Sequence, residues 1–204
     1  MAAQALPAAE FDRRRGEYSG PSEPGEFVEI MEREQAVVFQ GFPDCGVTSE
    51  DYIVGDILDE LLSEMSGELF KRVREDRSLA YFVGASRISG VHTGMFYLCA
   101  GTHPSSVEGV IEEFDRELSR IRKGGLREDE VRRCKTRLKA AKTMSLQTIG
   151  AKAMQAGLNV TYGLPANDWN TYNERIEAIS IAALQRFAEE RLVDSKRVGL
   201  VVKP

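Results

Sequence analysis

Histidine is the scarcest ionisable residue in this chain. Only His92 and His103 occur. Neither sits in H-E-x-x-H or H-x-x-E-H, the spacings that place two imidazoles on one helix face to hold a metal. His92 falls in the turn-like SGVHTGM and His103 precedes Pro104. Both read as polar turn residues, and no catalytic zinc site is expected within the chain. Cysteine is hardly more abundant: Cys45, Cys99 and Cys134 are far apart, odd in number and form no C-x-x-C pair. That pattern suits neither a disulfide framework nor a thiolate metal site. Reduced thiols are expected, with Cys99, in an apolar run, as a small core residue. No apolar run reaches the ~18 residues of a membrane span. Positive net charge is missing too: 27 Lys and Arg stand against 32 Asp and Glu, which argues against a duplex nucleic-acid binder.

What is present is an ordinary globular composition, 42% hydrophobic and 29% charged over 204 residues, enough to bury a core without disulfides or metal. Residues 1–25, rich in Ala, Pro, Gly and charge, read as an N-terminal arm or linker. Residues 26–204 read as one domain. EFVEI (26–30) and AVVFQGFP (36–43) have strand character. From about Ser49 to Met65, Tyr52, Ile53, Ile57, Leu58, Leu61, Leu62 and Met65 fall on one helical face, with Thr48 as the expected N-cap. A short helix from Gly67 to about Asp76 turns Leu69, Phe70 and Val73 inward. Strands over Ala80–Ile88 and Met95–Thr102 flank the Gly-bounded turn SGVHTG as a hairpin. Ser105-x-x-Glu108 predicts a capping box for a helix to about Lys123, with Val107, Val110, Ile111, Phe114, Leu118 and Ile121 as its apolar stripe.

Helices then follow over 127–144, 146–160, 166–179 and 180–192. RVGLVVK ends the chain as a strand in which Val198, Leu200 and Val202 need burial. The carboxylate run Glu128, Asp129 and Glu130 suits a helix N-terminus rather than a metal. Strands and helices in this order predict an α+β fold: one mixed, largely antiparallel β-sheet with helices mainly on one face.

One segment, MSGELFKRVREDRSLAYFVGAS, resembles L-F-x-x-x-R-E-x-x-x-L-A-Y-x-V of the pitrilysin/insulinase family of zinc peptidases, the inverzincins, which include the mitochondrial processing peptidases. QAVVFQGFP, YLCAGTHP, EDEVRRCKTRL and IEAISIAALQRFAEERL extend the resemblance, in order, from Glu26 to about Lys203. Members are built from paired homologous α+β domains, one of which carries H-x-x-E-H and zinc. Because this sequence lacks that motif, the resemblance implies the other kind of domain, inactive and substrate-binding.

It further implies that Arg74 and Tyr81, seven residues apart, are the functional pair. They would donate hydrogen bonds to substrate carbonyls, or to the tetrahedral oxygen formed when water attacks one. No cofactor is implied within this chain; zinc belongs to a homologous partner domain or subunit, in a homo- or heterodimer or in one polypeptide, with a peptide as substrate. The alternative function is a structural or assembly module of the same fold without a peptidase role. From the residues alone, Arg74 could equally be a solvated member of KRVRED pairing with Glu75 or Asp76, and Tyr81 a half-buried strand aromatic. One departure from the family pattern is Ser78, where a Gly often precedes Leu-Ala-Tyr; the Arg–Tyr spacing is kept.

Overall fold

The computed structural model describes residues 23–204, so the expected arm over 1–25 lies, apart from its last three residues, outside the described part. β1 (Gly25–Ile30), β2 (Ala36–Cys45), β3 (Ala80–Ser89), β4 (Thr93–Thr102) and β5 (Val198–Lys203) form one sheet in the order β1-β5-β2-β4-β3. β1 and β5 are parallel and the other neighbours antiparallel. The α+β class, the mixed sheet and the β3–β4 hairpin are those expected from the sequence.

Alternation along the strands sets the two faces of the sheet. Val38 and Phe42 of β2, and Phe96, Leu98 and Ala100 of β4, are buried toward the helices. α1 (Tyr52–Ser63), α3 (Val107–Arg122) and α7 (Ile181–Arg191) pack against the strands, while α4 (Glu128–Ser145) and α6 (Tyr172–Ala178) pack behind α1. Ile53, Ile57, Leu58, Leu61 and Leu62 of α1 meet Val110, Phe114, Leu118 and Ile121 of α3 in a single core. Each such side chain contributes about 1.5–3 kcal/mol by leaving water. α5 (Ile149–Thr161) differs: Asn159 is its one buried residue, and Ile149, Met154 and Val160 are exposed.

Several local expectations need correction. Thr48 does not cap α1; the helix starts after Asp51, and the Thr48 hydroxyl donates to Val91 O (3.1 Å) in the β3–β4 turn. Met65 is 70% exposed rather than on the α1 stripe, because the chain leaves the helix at Glu64 in an extended conformation. Ser105 and Glu108 form no capping box. Pro104 opens a 3-10 turn over Pro104–Ser106, in which His103 Nδ1 accepts from Ser105 N–H (3.3 Å), and α3 begins only at Val107.

On β5, Gly199 and Val201 face the helices, while Val198, Leu200 and Val202 turn to the opposite face. The cause is register: Leu200 stands beside Phe39, not beside the buried Val38. Cys99, also opposite Phe39, shares that face and is only partly buried, so it does not belong to the helix-side core. The second face remains open and apolar, with a hollow of about 370 Å³ lined by Phe39, Pro43, Met95, Tyr97, Val198 and Leu200.

Candidate functional site

The segment carrying Arg74 and Tyr81 is built as a clamped turn. α2 (Glu68–Phe70) runs into one turn of π-helix over Lys71–Asp76, with Leu69 and Val73 buried. π-Helical turns are rare and re-aim side chains relative to an α-helix. The arginines on either side of Arg74 hold the turn to α3. Arg72 reaches Glu113 (2.7 Å) and Glu117 (2.6 Å), and Arg77 reaches Glu113 (2.8 Å). Glu113 and Glu117 are almost completely buried. Arg120 bridges onward to Glu117 (2.8 Å) and Glu130 (2.9 Å). Burial opposes ionisation of Glu113, but the hydrogen bonds from Arg72 and Arg77 outweigh it and hold its carboxyl below the usual carboxylate range.

The return into β3 is equally constrained. Ser78 has φ +49°, in the left-handed region where a glycine is free of strain and a serine is not. The departure from the family pattern therefore keeps the turn at a steric cost. Leu79 N–H donates to Val73 O (2.7 Å), and the buried Thr102 hydroxyl donates to Leu79 O. Ala80 pairs with Thr102 but Phe82 pairs with Gly101, so Tyr81 is the extra residue of a β-bulge. Bulges commonly redirect a side chain, and Tyr81 is 53% exposed. Arg74 Nη1 donates to Ala80 O (3.4 Å), a long bond beside Tyr81. Arg74 forms no ion pair among the described residues, so pairing with Glu75 or Asp76 is not observed. The structure thus brings the two predicted residues to the same end of the edge strand.

Farther along β3, Ser63 Oγ donates to Ala85 O (2.8 Å) and accepts from Ala85 N–H (3.0 Å), occupying the strand edge there. Arg87 is buried against α1, donating to Asp44 (2.7 Å), Asp56 (2.5 Å) and Tyr52 O (2.8 Å). Gly55 makes room for it, since a Cβ at that position would lie 2.5 Å from the guanidinium carbon. Burial pushes Asp56 and Asp59 up to about 6. This second charged cluster fastens α1 to β3 and has no hydrogen bond to Arg74 or Tyr81.

The sequence reading missed Arg72, Arg77, Glu113, Glu117 and Thr102 as supports of the site. A signal was available: Glu113 and Glu117 are four residues apart and flank the core positions Phe114 and Leu118. Among the described residues no group of three or more His, Cys, Asp or Glu side chains is placed to hold a metal ion. Cys45, Cys99 and Cys134 are free thiols. The described residues therefore do not fit a zinc site.

Comparison with known proteins gives the chain its relatives. The family model described as the peptidase M16 inactive domain matches residues 4–138. An uncharacterized zinc protease of Streptomyces coelicolor is 34% identical over 133 residues, 64% of this chain and 29% of that protein. An uncharacterized zinc protease of Bacillus subtilis is 27% identical over 188 residues, 86% of this chain and 46% of that protein. The chain therefore spans less than half the length of these curated relatives. Among solved structures, a protease from Helicobacter pylori superposes with a TM-score of 0.80 at 20% identity, over 90% of this chain and 45% of its own. A peptidase M16 inactive domain from Pseudomonas fluorescens gives 0.80 at 18% identity, over 93% of this chain and 46% of its own. These superpositions show the fold, and the family match over residues 4–138 establishes that this chain belongs to the peptidase M16 family as an inactive-domain member.

Proposed function

We propose that this chain is the substrate-binding half of a pitrilysin-type zinc metalloendopeptidase, acting opposite a homologous zinc-bearing half in the same or another polypeptide. The observation that carries this reading is the presentation of Arg74 and Tyr81. Both are exposed, both sit at one end of edge strand β3, and both are mounted on a turn locked by Arg72, Arg77 and Thr102. The tyrosine hydroxyl and the guanidinium are hydrogen-bond donors, and the arginine is a planar fork of donors that keeps its charge. Rigid donors aimed where a peptide carbonyl gains negative charge contribute about 2.7–4 kcal/mol each.

The edge of β3 also suits an extended peptide. Ala85 directs its N–H and C=O to Ser63, away from β4. By alternation Val83 directs its own groups outward, so strand pairing is open beside Tyr81 and closed beyond it. The open apolar sheet face and the exposed apolar residues of α5 are surfaces for the partner half. Zinc belongs to that half.

The test is metal analysis and peptidase assay of the purified chain, alone and mixed with a zinc-bearing homologue. The reading expects no stoichiometric zinc and no cleavage from the chain alone. One tightly held zinc per chain, together with cleavage, contradicts it.

A further inference from the structure

The sheet ends on β3 at one side and on β1 at the other, and β1 has its own chemistry. Two hydrogen bonds bracket the strand: Gly25 N–H donates to Arg197 O (3.1 Å) and Met31 N–H to Lys203 O (2.9 Å). In a parallel pair alternate residues bond to a given neighbour. Gly25, Phe27, Glu29 and Met31 therefore face β5, while Glu26, Val28 and Ile30 turn their N–H and C=O groups away from the sheet. Among the described residues no strand pairs with that side.

The side chains are as open as the backbone. Phe27, Val28 and Ile30 are each about 60% exposed, Phe27 on one face and the other two on the opposite face. Exposed apolar edges pair readily with another strand, and proteins commonly block them with Lys, Pro or a bulge. GEFVEI contains no Lys or Pro and keeps continuous register with β5. Its charged residues are both acidic, and Glu23, Glu32 and Glu34 flank it, against the single Arg33. Glu26 lies across Gly199, where any Cβ would overlap its carboxylate, and reaches Arg197 (3.0 Å). Glu23, Glu29, Glu32 and Glu34 form no ion pair with a described residue.

We propose that β1 is a strand-addition site for an extended polypeptide segment of alternating basic and apolar residues. The backbones of Glu26, Val28 and Ile30 supply three donors and three acceptors for a new ladder. Val28 and Ile30 on one face cover the segment's apolar residues, and its basic residues fall on the opposite face, which Glu29 shares with Phe27. The glutamates select its basic ones and disfavour acidic competitors. A second copy of the chain fits worse. Full antiparallel overlap of two β1 strands centres on Val28, sets Glu29 against Phe27 and Glu26 against Ile30, and brings two acidic edges together. This site lies across the sheet from Tyr81 and does not depend on the role given to Arg74 and Tyr81.

The test is a fluorescence-anisotropy titration of the full chain with a labelled eight-residue peptide alternating lysine and valine. Saturable one-to-one binding that weakens as salt is raised is expected, with no binding of the peptide that has glutamate for lysine. Val28→Pro removes the central outward N–H and none of the bonds to β5. It is expected to weaken binding about tenfold or more with unchanged circular dichroism. The same peptide with its backbone amides N-methylated throughout keeps its charge but cannot form a ladder, and it should not compete; this arm needs no protein variant. Absence of saturable binding, binding indifferent to Val28→Pro, or full competition by the N-methylated peptide overturns the proposal. Concentration-dependent dimerisation abolished by Val28→Pro would assign the edge to a second copy. Binding seen only after removal of residues 1–22 would assign it to the chain's own N-terminal segment. Either of these results also overturns the proposal.

Discussion

Replacing Arg72 with methionine removes the guanidinium that ties the Arg74 turn to α3 while keeping a long side chain in place. Arg72 lies 2.7 Å from Glu113 and 2.6 Å from Glu117, whose side chains are 2% and 1% exposed. Removing one partner of a buried ion pair costs about 3–5 kcal/mol, because the remaining charge is left without compensation. Here each carboxylate keeps a second partner, Arg77 for Glu113 and Arg120 for Glu117, so the lower end applies, about 3 kcal/mol. For a chain of this size that is a fall in Tm of about 6–12 °C. Urea unfolding followed by circular dichroism at pH 7.5, with a thermal melt beside it, reads both quantities.

The pH dependence follows from the same pairs. The folded carboxyl of Glu113 is held below its unfolded value. The stability it contributes is therefore present above the unfolded pKa and is lost as pH falls through the folded one, so the gap between wild type and variant should narrow below about pH 4. Adding Glu117→Gln to Arg72→Met removes one of the stranded charges and should recover at least part of the loss, a coupling that a double-mutant cycle measures. A loss under about 1 kcal/mol would refute the reasoning, since that is the scale of a solvated surface pair.

Two further predictions concern backbone strain and a buried acid. Ser78→Gly relieves the positive φ and should raise stability by about 0.5–1 kcal/mol, the relief of left-handed strain less the extra chain entropy of glycine; a lower unfolding midpoint would show that the turn does not need glycine's freedom. Burial raises Asp59 from 3.8 to about 6, so its ionisation takes stability from the folded state as pH rises between those two values, and the loss is complete above the higher one. Asp59→Asn should then stabilise by about 1–2 kcal/mol at pH 7.5 and by almost nothing below about pH 4; a difference constant across that range would contradict the assignment.

The strands and the long helices were legible because their apolar residues repeat at two or at three and four. Arg74 and Tyr81 were singled out through the family pattern, whose spacing survives intact in LFKRVREDRSLAYFV, and the structure places them at one end of β3. What sequence did not disclose depends on partners distant in the chain. GLVV at the end is apolar at successive positions, so the face taken by Val198, Leu200 and Val202 was open until pairing with β2 fixed the parity. The same parity moved Cys99 out of the helix-side core. Thr48 and Ser105 have cap chemistry, yet the geometry of the incoming chain gave the caps to other groups. KRVRED reads as a solvated charged run, and only the packing of α3 shows that Arg72 is tied to Glu113 and Glu117 while Arg74 faces outward. The bulge at Tyr81 arises from register with β4 and has no signature in local composition.

The measurement closest to the central claim is the steady-state cleavage of a peptide by the chain combined with its zinc-bearing half, comparing wild type with Tyr81→Phe and Arg74→Ala. Both side chains are exposed, so each variant should keep wild-type stability within about 0.5 kcal/mol. The account predicts that kcat/KM falls about a hundredfold or more for each, the effect of losing one donor to the developing charge. Full activity in both variants would contradict it and leave the fold as a structural module.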